Sequence, residues 1–348
     1  MSKGIAITGM GIISAIGNNV AENYESLINE KKGISRISKI DTIHKDAIMV
    51  GEIALTNKEL ETQLGLSSDN NYSRTALLGV VAAKEAIADA GITDMNAYRT
   101  GLISATSVGG MDMTEKYYYD YLESETHRRY IEGHHAGDST QKIAEQLGIE
   151  QSLVTTISTA CSSAANAIMF GVRLIKSGQL DRVIVGGADC LSKFTINGFK
   201  TLMILSDTYN TPFDENRKGL NLGEAAAFLV LESDEVVQTE NKRVLGYVKG
   251  YGNANDAFHQ TASSENGDGA TLAMEQALKV AGLASKDIDY INAHGTATEN
   301  NDEVELAAIK KVFGELPPAY ASTKSYTGHT LGASGAIEAV YSVLALKE

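Results

Sequence analysis

The sequence predicts an α/β protein whose mainly parallel sheet is covered by helices on both faces. Short runs of β-branched and other apolar residues recur along the chain, and each ends in glycine or another small residue. Segments with helical periodicity separate these runs, and such an alternation is typical of strand–helix–strand units. The chain has 348 residues, of which 43% are hydrophobic. That length allows two domains or one large duplicated one.

The first half of the chain carries five predicted strands and three clear helices. Apolar runs of this length fit strands that are buried on both faces. The strands are predicted at 5–9, 101–104, 153–158, 182–187 and 227–231, and the helices at 73–90, 139–147 and 162–177. The segments 33–65 and 109–138 are the least periodic. The second is aromatic and charged, and we expect it to form a cap or an interface.

The same pattern begins again after a charged segment at 232–242. Strands are predicted at 243–250, 288–292 and 319–323, and helices at 270–281, 302–313 and 332–346. We interpret this order as a structural duplication, with a first half at residues 1–235 and a second half at residues 242–348. Because the second half has fewer strands than the first, we expect it to be incomplete.

Composition excludes several classes of function. The formal net charge of −14 is a poor match to a nucleic-acid-binding protein, which needs lysine and arginine to neutralise phosphates. The only two cysteines, Cys161 and Cys190, argue against a disulfide framework and favour a reducing, cytoplasmic setting. No apolar stretch approaches the ~20 residues of a transmembrane helix, so no membrane insertion is expected. Glycines interrupt the first twenty residues, which favours a buried strand over a signal peptide.

Three reactive side chains follow three predicted strands. Cys161 lies at the start of a predicted helix among small residues, where free amides and the helix dipole favour a thiolate. His294 and His329 lie in polar turns after two later strands. Each residue alone is more often structural, as a buried thiol or a satisfied histidine. Ligands collect at the carboxyl ends of strands in open α/β sheets, so together the three predict one site.

The motifs around these residues resemble the β-ketoacyl-acyl-carrier-protein synthases of the thiolase superfamily, most closely the elongating type II enzymes. The resemblance covers nearly the whole chain. It rests on IAITGMG at 5–11, STACSSA at 158–164, PFD at 212–214 with Gly219, LGE at 222–224, ENG at 265–267, HGT at 294–296, TKS at 323–325 and TGH at 327–329. It implies a thiolase fold, with duplicated βαβαβαββ halves in αβαβα layers and an incomplete second half.

The resemblance also implies the chemistry. Cys161 would take an acyl group from a carrier thioester, and a malonyl thioester would then lose carbon dioxide and attack it. His294 and His329 would stabilise the negative charge that develops on the malonyl thioester oxygen. Lys324 would fix the local charge, and Glu338 would balance that lysine. No cofactor or metal is required.

Binding roles are implied in the same way. Thr296 and Thr298 would hold a pantetheine arm, and His134 and His135 would line the acyl tunnel. The implied partners are acyl carrier protein and malonyl-acyl carrier protein. We expect a homodimer that pairs through the strand at 153–158, and a heterodimer is also possible. An exposed apolar strand edge of this kind needs to be covered.

Three departures from the family pattern refine these expectations. The basic cluster that grips the carrier is absent at 66–71, and Thr211 replaces an arginine, so we expect carrier docking to differ. The tunnel segment 131–138 is polar, which favours a short, unsaturated, aromatic or polar acyl chain. Family members continue for several dozen residues beyond position 348, so we expect a truncated or unusual chain. The candidates for a substitute basic patch are Arg128, Arg129, Lys193 and Lys200, and the alternative is that they are solvated surface charges.

Two other functions remain open from the sequence. The first is a non-catalytic partner subunit of a heterodimeric synthase, against which the presence of Cys161 argues. The second is a thiolase acting on coenzyme A esters, which would need a second catalytic cysteine in a motif that Cys190 lacks. A metal site at His127, His134 and His135 is disfavoured because these residues share no regular ligand spacing with other donors.

Overall fold

The computed structural model describes residues 3–149, 153–258 and 264–346. Within these ranges, strands and helices are interspersed along the chain. The strands are β1 (Ile5–Ser14), β2 (Ile34–Arg36), β3 (Met49–Gly51), β4 (Thr100–Ala105), β5 (Val154–Ile157), β6 (Arg182–Asp189), β7 (Leu222–Gly223), β8 (Ala225–Glu232), β9 (Gly246–Val248), β10 (Tyr290–Asn292) and β11 (Ala319–Ala321). The helices are α1 (Val20–Ile28), α2 (Asn57–Leu64), α3 (Arg74–Asp89), α4 (Met111–Glu123), α5 (Arg128–Ile131), α6 (Ala136–Leu147), α7 (Ser163–Lys176), α8 (Lys193–Thr201), α9 (Asp234–Thr239), α10 (Asp268–Ala281), α11 (Glu299–Phe313), α12 (Lys324–Thr327) and α13 (Ser334–Ala345).

The main sheet has six strands in the order β5-β4-β6-β8-β1-β9. The pairs β5/β4 and β4/β6 are parallel, whereas β6/β8, β8/β1 and β1/β9 are antiparallel. The prediction of a mainly parallel sheet is therefore wrong. Along β8, Phe228 and Val230 pack into one core cluster while Leu229 and Leu231 pack into another. Because helices cover both faces, an antiparallel strand also reads as a continuous apolar run.

The second half contributes to two different sheets. Its first strand, β9, pairs with β1 at the edge of the main sheet, and β10 and β11 form a separate parallel pair. The three strands predicted for the second half are therefore all present, but only two of them pair with each other. A further small sheet, β2-β3-β7, was not predicted because its strands are only two or three residues long.

Helices sandwich the main sheet and build its two cores. Helix α3 packs on β1 and β8 from one side, and α7 and α13 pack from the other. Leu77, Ile143 and Phe228 belong to the core on the α3 side, and Val185 and Ile337 belong to the core on the α7 side. No helix in the described ranges is long and apolar enough to cross a bilayer.

The glycines of the first motif allow β1 to lie directly on α3. A Cβ at Gly11 would lie 2.1 Å from the carbonyl oxygen of Ala82, so only glycine fits. Helix α3 also supplies Glu85, whose carboxylate accepts a hydrogen bond of 2.8 Å from the backbone N–H of Ile12. The motif at 5–11 thus serves strand–helix packing, and it lacks the third glycine of a dinucleotide-binding fingerprint.

The segment 109–138, expected to be a cap or an interface, is mostly helical. It contains α4, α5 and two short 3₁₀ turns, Glu125–His127 and Glu132–His134. Helix α4 runs over thirteen residues and has no fully buried residue, although Tyr118, Tyr119 and Leu122 are among its side chains. Its weak periodicity in sequence therefore reflects its shallow packing on the rest of the chain.

Candidate active site

Three strand-end residues from different elements meet at one point. Cys161 lies between β5 and α7, His294 follows β10, and His329 lies between α12 and α13. The Sγ atom of Cys161 and one ring nitrogen from each histidine all lie within 4.8 Å of one another. Cys161 precedes both histidines by more than 130 positions, so the fold brings a nucleophile and two imidazoles together from distant parts of the chain.

The backbone before the nucleophile is held in an uncommon conformation. Ala160 has φ +52°, a left-handed conformation that costs free energy for a residue with a Cβ. Ser163, the first residue of α7, bridges this turn, because its hydroxyl donates to the carbonyl of Ala160 at 2.6 Å and accepts from the N–H of Thr159 at 2.8 Å. The turn therefore sets the position of Cys161 before any substrate arrives.

The Cys161 thiol is harder to ionise than the sequence led us to expect. Burial raises its pKa above the ordinary value, and the positive charge of Lys324 only partly opposes this. The helix that was expected to favour a thiolate begins at Ser163, two residues later. The resting group is therefore the neutral thiol at neutral pH.

His329 has its proton fixed on one nitrogen by the backbone. Its Nδ1 accepts a hydrogen bond of 3.0 Å from the N–H of Leu331. Leu331 has φ +52°, and this turn brings its amide back to the ring. A neutral imidazole whose Nδ1 is an acceptor carries its proton on Nε2. His329 is therefore an Nε2–H donor.

His294 also carries its proton on Nε2, and here the neighbour that determines the tautomer is Lys324. Its Nδ1 lies 3.3 Å from Nζ of Lys324, and an ammonium group can only donate. Burial and the adjacent Lys324 charge hold the pKa of His294 well below its usual value, and the same causes lower the pKa of His329 to about 3. Both imidazoles are neutral at neutral pH. Their rings are perpendicular, with centroids 5.2 Å apart.

Lys324 is the central charge of the site. It is only 2% exposed, and its ammonium group forms an ion pair with the Glu338 carboxylate of α13. Burial raises the pKa of Glu338, and the Lys324 charge opposes that rise. The structure thus places Glu338 against Lys324, and Lys324 against His294. The lysine charge therefore influences Cys161 and both histidines.

Two carboxylates that the sequence analysis did not single out hold the site together. Glu305 of α11 accepts the backbone N–H groups of His294 and Gly295, both at 2.7 Å. Asp189, at the end of β6, accepts the N–H groups of Ser107 at 2.9 Å and Gly332 at 2.7 Å. The signal in the sequence was an acidic residue at the end of an apolar strand for Asp189. For Glu305 no local signal separates it from a solvated helix face.

The residues expected to bind substrate lie in two different places. Thr296 is buried, and its hydroxyl oxygen is 2.9 Å from that of Thr298. Thr298 lines a cavity of about 610 Å³ together with Arg217 and Lys218. His134 and His135 are exposed in the single chain, and Nδ1 of His134 pairs with the Thr114 hydroxyl at 3.0 Å. The structure does not bring these two histidines to Cys161.

The four cations considered as a substitute basic patch differ in their surroundings. Arg128 pairs with Glu125 and Glu132, so its charge is largely compensated. Arg129 lies 4.0 Å from the carboxylate of Asp69. The remaining two, Lys193 and Lys200, line separate cavities beside α8.

The cluster of Cys161, His294 and His329 also has the ligand types of a metal site. Its three ligand atoms are close enough to hold one ion. The Lys324 ammonium beside His294 opposes any further cation there, and Nε2–H donors cannot coordinate without losing a proton. The arrangement is better suited to receive negative charge on a substrate oxygen.

Comparisons with known proteins agree with one another along the whole chain. Residues 2–236 match the family model for the N-terminal domain of β-ketoacyl synthases, and residues 245–348 match the model for the C-terminal domain. The 3-oxoacyl-[acyl-carrier-protein] synthase 2 of Staphylococcus aureus (strain N315) is 34% identical over all of this chain and 86% of its own length. The enzyme of the same name from Coxiella burnetii is 33% identical over 99% of this chain and 86% of its own length.

Solved structures give the same result. The ishigamide ketosynthase/chain length factor superimposes with a TM-score of 0.92 at 31% identity, covering 99% of this chain and 86% of that one. A ketosynthase from Xenorhabdus doucetiae in complex with its chain length factor gives a TM-score of 0.83 at 32% identity, covering 99% and 85%. A β-ketoacyl synthase from Burkholderia phymatum gives 0.87 at 28% identity, covering 99% and 86%.

Proposed function

The chain belongs to the β-ketoacyl synthase family, and we propose that it joins an acyl group held on Cys161 to a decarboxylating malonyl thioester. It is an acyltransferase of the thiolase fold with condensing activity in fatty-acid or polyketide synthesis. The observation that carries the assignment of roles is that Cys161 lies beside two imidazoles whose Nδ1 atoms are engaged by Lys324 and by the Leu331 amide, which leaves each Nε2–H to donate.

In the first step the Cys161 sulfur attacks the carbonyl carbon of an acyl-carrier thioester. The carrier sulfur leaves, and the thiol proton of Cys161 passes to it, so a thioester and a thiol replace a thiol and a thioester. Because the pKa of Cys161 is raised, this proton has to depart as the new bond forms. The two neutral histidines do not need to change protonation state.

In the second step malonyl-carrier thioester binds and loses carbon dioxide. The electrons of the broken bond pass to the thioester oxygen, where negative charge develops. The Nε2–H groups of His294 and His329 would donate hydrogen bonds to that oxygen, and such donors act most strongly where water is excluded. The resulting carbanion attacks the acyl carbonyl carbon, and the bond from that carbon to the Cys161 sulfur breaks. The sulfur leaves as a thiolate, and it returns to the neutral thiol by taking a proton from water.

The proposed partners follow from the same chemistry. We infer that acyl carrier protein and malonyl-acyl carrier protein are the substrates, and that the cavity at Thr298 admits their pantetheine arm. A type II polyketide ketosynthase, solved in complex with its acyl carrier protein, is similar in structure to this chain at 26% identity. A homodimer through β5 is the assembly we propose. The structures titled as complexes with a chain length factor support a heterodimer as the alternative.

The experiment that tests the function compares two substitutions of the nucleophile. Cys161→Ala should abolish formation of the 3-oxoacyl product, while Cys161→Gln should still release carbon dioxide from malonyl-carrier protein. The reason is that decarboxylation uses the histidines and not the thiol. Cys190→Ala is the matched control, because Cys190 is fully buried and belongs to a core cluster. If Cys161→Gln lost carbon dioxide release as completely as it loses condensation, the assignment of decarboxylation to the histidines and not to the thiol would be refuted.

A further inference from the structure

A cavity of about 710 Å³ lies between α4, the start of α8 and the segment before α2, and Cys161 is not among the residues that line it. Its lining contains both charged and apolar side chains, among them Asp112, Met113, Lys116, Leu191 and Lys193.

One buried polar atom in this cavity has no partner. The Oδ2 atom of Asp112 accepts the backbone N–H of Arg74 at 2.9 Å, but its Oδ1 atom is buried and has no hydrogen-bond partner among the described residues. Burial raises the pKa of Asp112 to about 6. A buried carboxylate oxygen without a donor costs free energy, so a ligand that brings a donor would be favoured.

The guanidinium of Arg74 does not satisfy this oxygen. The guanidinium of Arg74 is directed to Glu224, with which it forms two hydrogen bonds of 2.7 and 2.8 Å. It also donates to Asn57 at 2.8 Å. The Arg74 guanidinium is therefore engaged by other groups. The unpaired Oδ1 atom of Asp112, a residue that lines the cavity, is left for a ligand.

Two short lengths of backbone connect the cavity with the nucleophile. The hydroxyl of Ser107 donates to the carbonyl of Ala160, next to Cys161, at 3.4 Å. Asp112 is five residues beyond Ser107, at most about 17 Å along the backbone. Leu191 lines the cavity and lies two residues, or at most about 7 Å, beyond Asp189, which binds the Ser107 amide. These are distances that a medium-length acyl chain can span.

We propose that this cavity receives the far end of the acyl chain carried by Cys161, and that Asp112 selects chains ending in a hydrogen-bond donor such as a hydroxyl group. The proposal rests on the function proposed above. A site built to bond a substrate hydroxyl discriminates strongly against an analogue without it, because its own buried polar atom is then left unpaired. The apolar walls at Met113 and Leu191 pack on the methylenes that precede the donor.

A chain that ends in a carboxylate is the competing ligand. Lys116 and Lys193 on the rim would attract it, whereas the negative charge of Asp112 inside would repel it. We favour the donor because the unpaired atom of the cavity is an acceptor. A metal ion is disfavoured, since the carboxylates of this cavity form no metal-like cluster in the described part of the chain.

The test uses three acyl-carrier primers of equal length, ending in a methyl, a hydroxyl or a carboxyl group. The rate at which Cys161 becomes acylated is followed by intact-protein mass spectrometry. The wild type should accept the hydroxyl-ended primer at least about tenfold faster than the methyl-ended one. Asp112→Leu should reverse that preference. Glu123→Gln, which removes an exposed carboxylate at the end of α4 that does not line the cavity, should leave it unchanged.

The wild-type comparison stands even if a variant fails to fold, and Asp112→Asn, which keeps an acceptor for the Arg74 amide, provides a milder second variant. Equal rates for the methyl- and hydroxyl-ended primers in the wild type would overturn the proposal. So would a preference for the carboxyl-ended primer. Acylation of Cys161 by some primers without the expected preference leaves the condensing function standing, whereas no acylation by any primer would overturn both.

Discussion

At the scale of single residues, the site works through neutral groups placed beside one charge. Lys324 lowers the pKa of both histidines and directs Nδ1 of His294, while the Leu331 amide directs Nδ1 of His329. Each ring is thereby left with a proton to donate from Nε2. The same lysine charge only partly offsets the burial of Cys161. The thiol therefore stays protonated until a substrate is attacked.

The first prediction concerns alkylation of Cys161 by iodoacetamide. The thiolate is the reactive form, and the pKa is raised above 9.0, so the rate should rise about tenfold per pH unit through pH 8 without a plateau. At pH values below the pKa of Cys161, Lys324→Met should slow the reaction, because it removes the charge that lowers this pKa. Glu338→Gln should accelerate it, because Glu338 raises the pKa. A plateau below pH 8 would mean that the resting group is a thiolate.

The second prediction separates the two half-reactions. His329→Ala removes one of the two donors to the malonyl oxygen and should reduce carbon dioxide release by roughly 10²–10³. The rate of acyl transfer to Cys161 should fall much less. That step is an attack by the Cys161 sulfur and involves no malonyl oxygen for His329 to stabilise. Single-turnover measurements of both steps resolve the difference. His134→Ala, an exposed histidine outside the cluster, is the control. Equal losses in both steps would contradict the assignment.

At the scale of elements, a buried ion pair ties three segments together. Arg74, at the start of α3, pairs with Glu224, which precedes β8, and the two side chains are 10% and 3% exposed. Glu224 also accepts the backbone N–H groups of Ile53 at 3.0 Å and Leu191 at 3.2 Å. The pair therefore fixes the floor of the cavity that contains Asp112.

The third prediction follows from this pair. Removing one partner of a buried ion pair leaves the other charge uncompensated, so Arg74→Met should lower the free energy of unfolding by about 3–5 kcal/mol. The double variant Arg74→Met/Glu224→Leu should lose less than the single variant, because no buried charge remains. Urea denaturation measures both. A double variant that is less stable than Arg74→Met would show that Glu224 acts mainly by accepting the backbone N–H groups of Ile53 and Leu191.

Much of the element order could be predicted, and the reasons for the failures are specific. Apolar runs marked β4, β6 and β8 to within a few residues, because each strand is buried on both faces. The direction of β8 and the pairing of β9 with β1 were missed, since strand direction leaves no mark on such runs. For the site, residue type and strand-end position brought out Cys161, His294 and His329. The contacts of Glu305 and Asp112 arise from distant parts of the chain and have no local signature, and the only signal for Asp189 was its position as an acidic residue at the end of an apolar strand.

At the scale of the whole molecule, β5 leaves an open edge beside the nucleophile. Among the residues that the structure describes, it is the last strand of the main sheet and pairs there with β4 alone. The carbonyls of Leu153 and Ile157 bond to the amides of Leu102 and Thr106, so every second residue of β5 faces β4. The amides of Val154 and Thr156 therefore point to the open edge, as the alternation of parallel pairing requires. We propose that a second copy covers it.

The fourth prediction tests this edge. Val154→Pro removes one outward amide at a position where a strand tolerates proline, and it should convert the proposed dimer into a monomer. Val154→Ala keeps the amide and should remain dimeric. Sedimentation velocity at micromolar concentration reports both. A wild-type protein that sediments as a monomer, or a proline variant that still dimerises, would show that β5 is not the interface.

Intact-protein mass spectrometry decides whether Cys161 carries the acyl group during condensation. The mass of the protein is measured after incubation with an acyl-carrier thioester and again after addition of malonyl-carrier protein. We predict a mass increase equal to the acyl group, located on Cys161 and absent from Cys161→Ala but retained in Cys190→Ala. On addition of malonyl-carrier protein the added mass should disappear while a 3-oxoacyl-carrier product forms. An adduct that never forms, or one that persists in the presence of malonyl-carrier protein, would contradict the account of a condensing enzyme acting through Cys161.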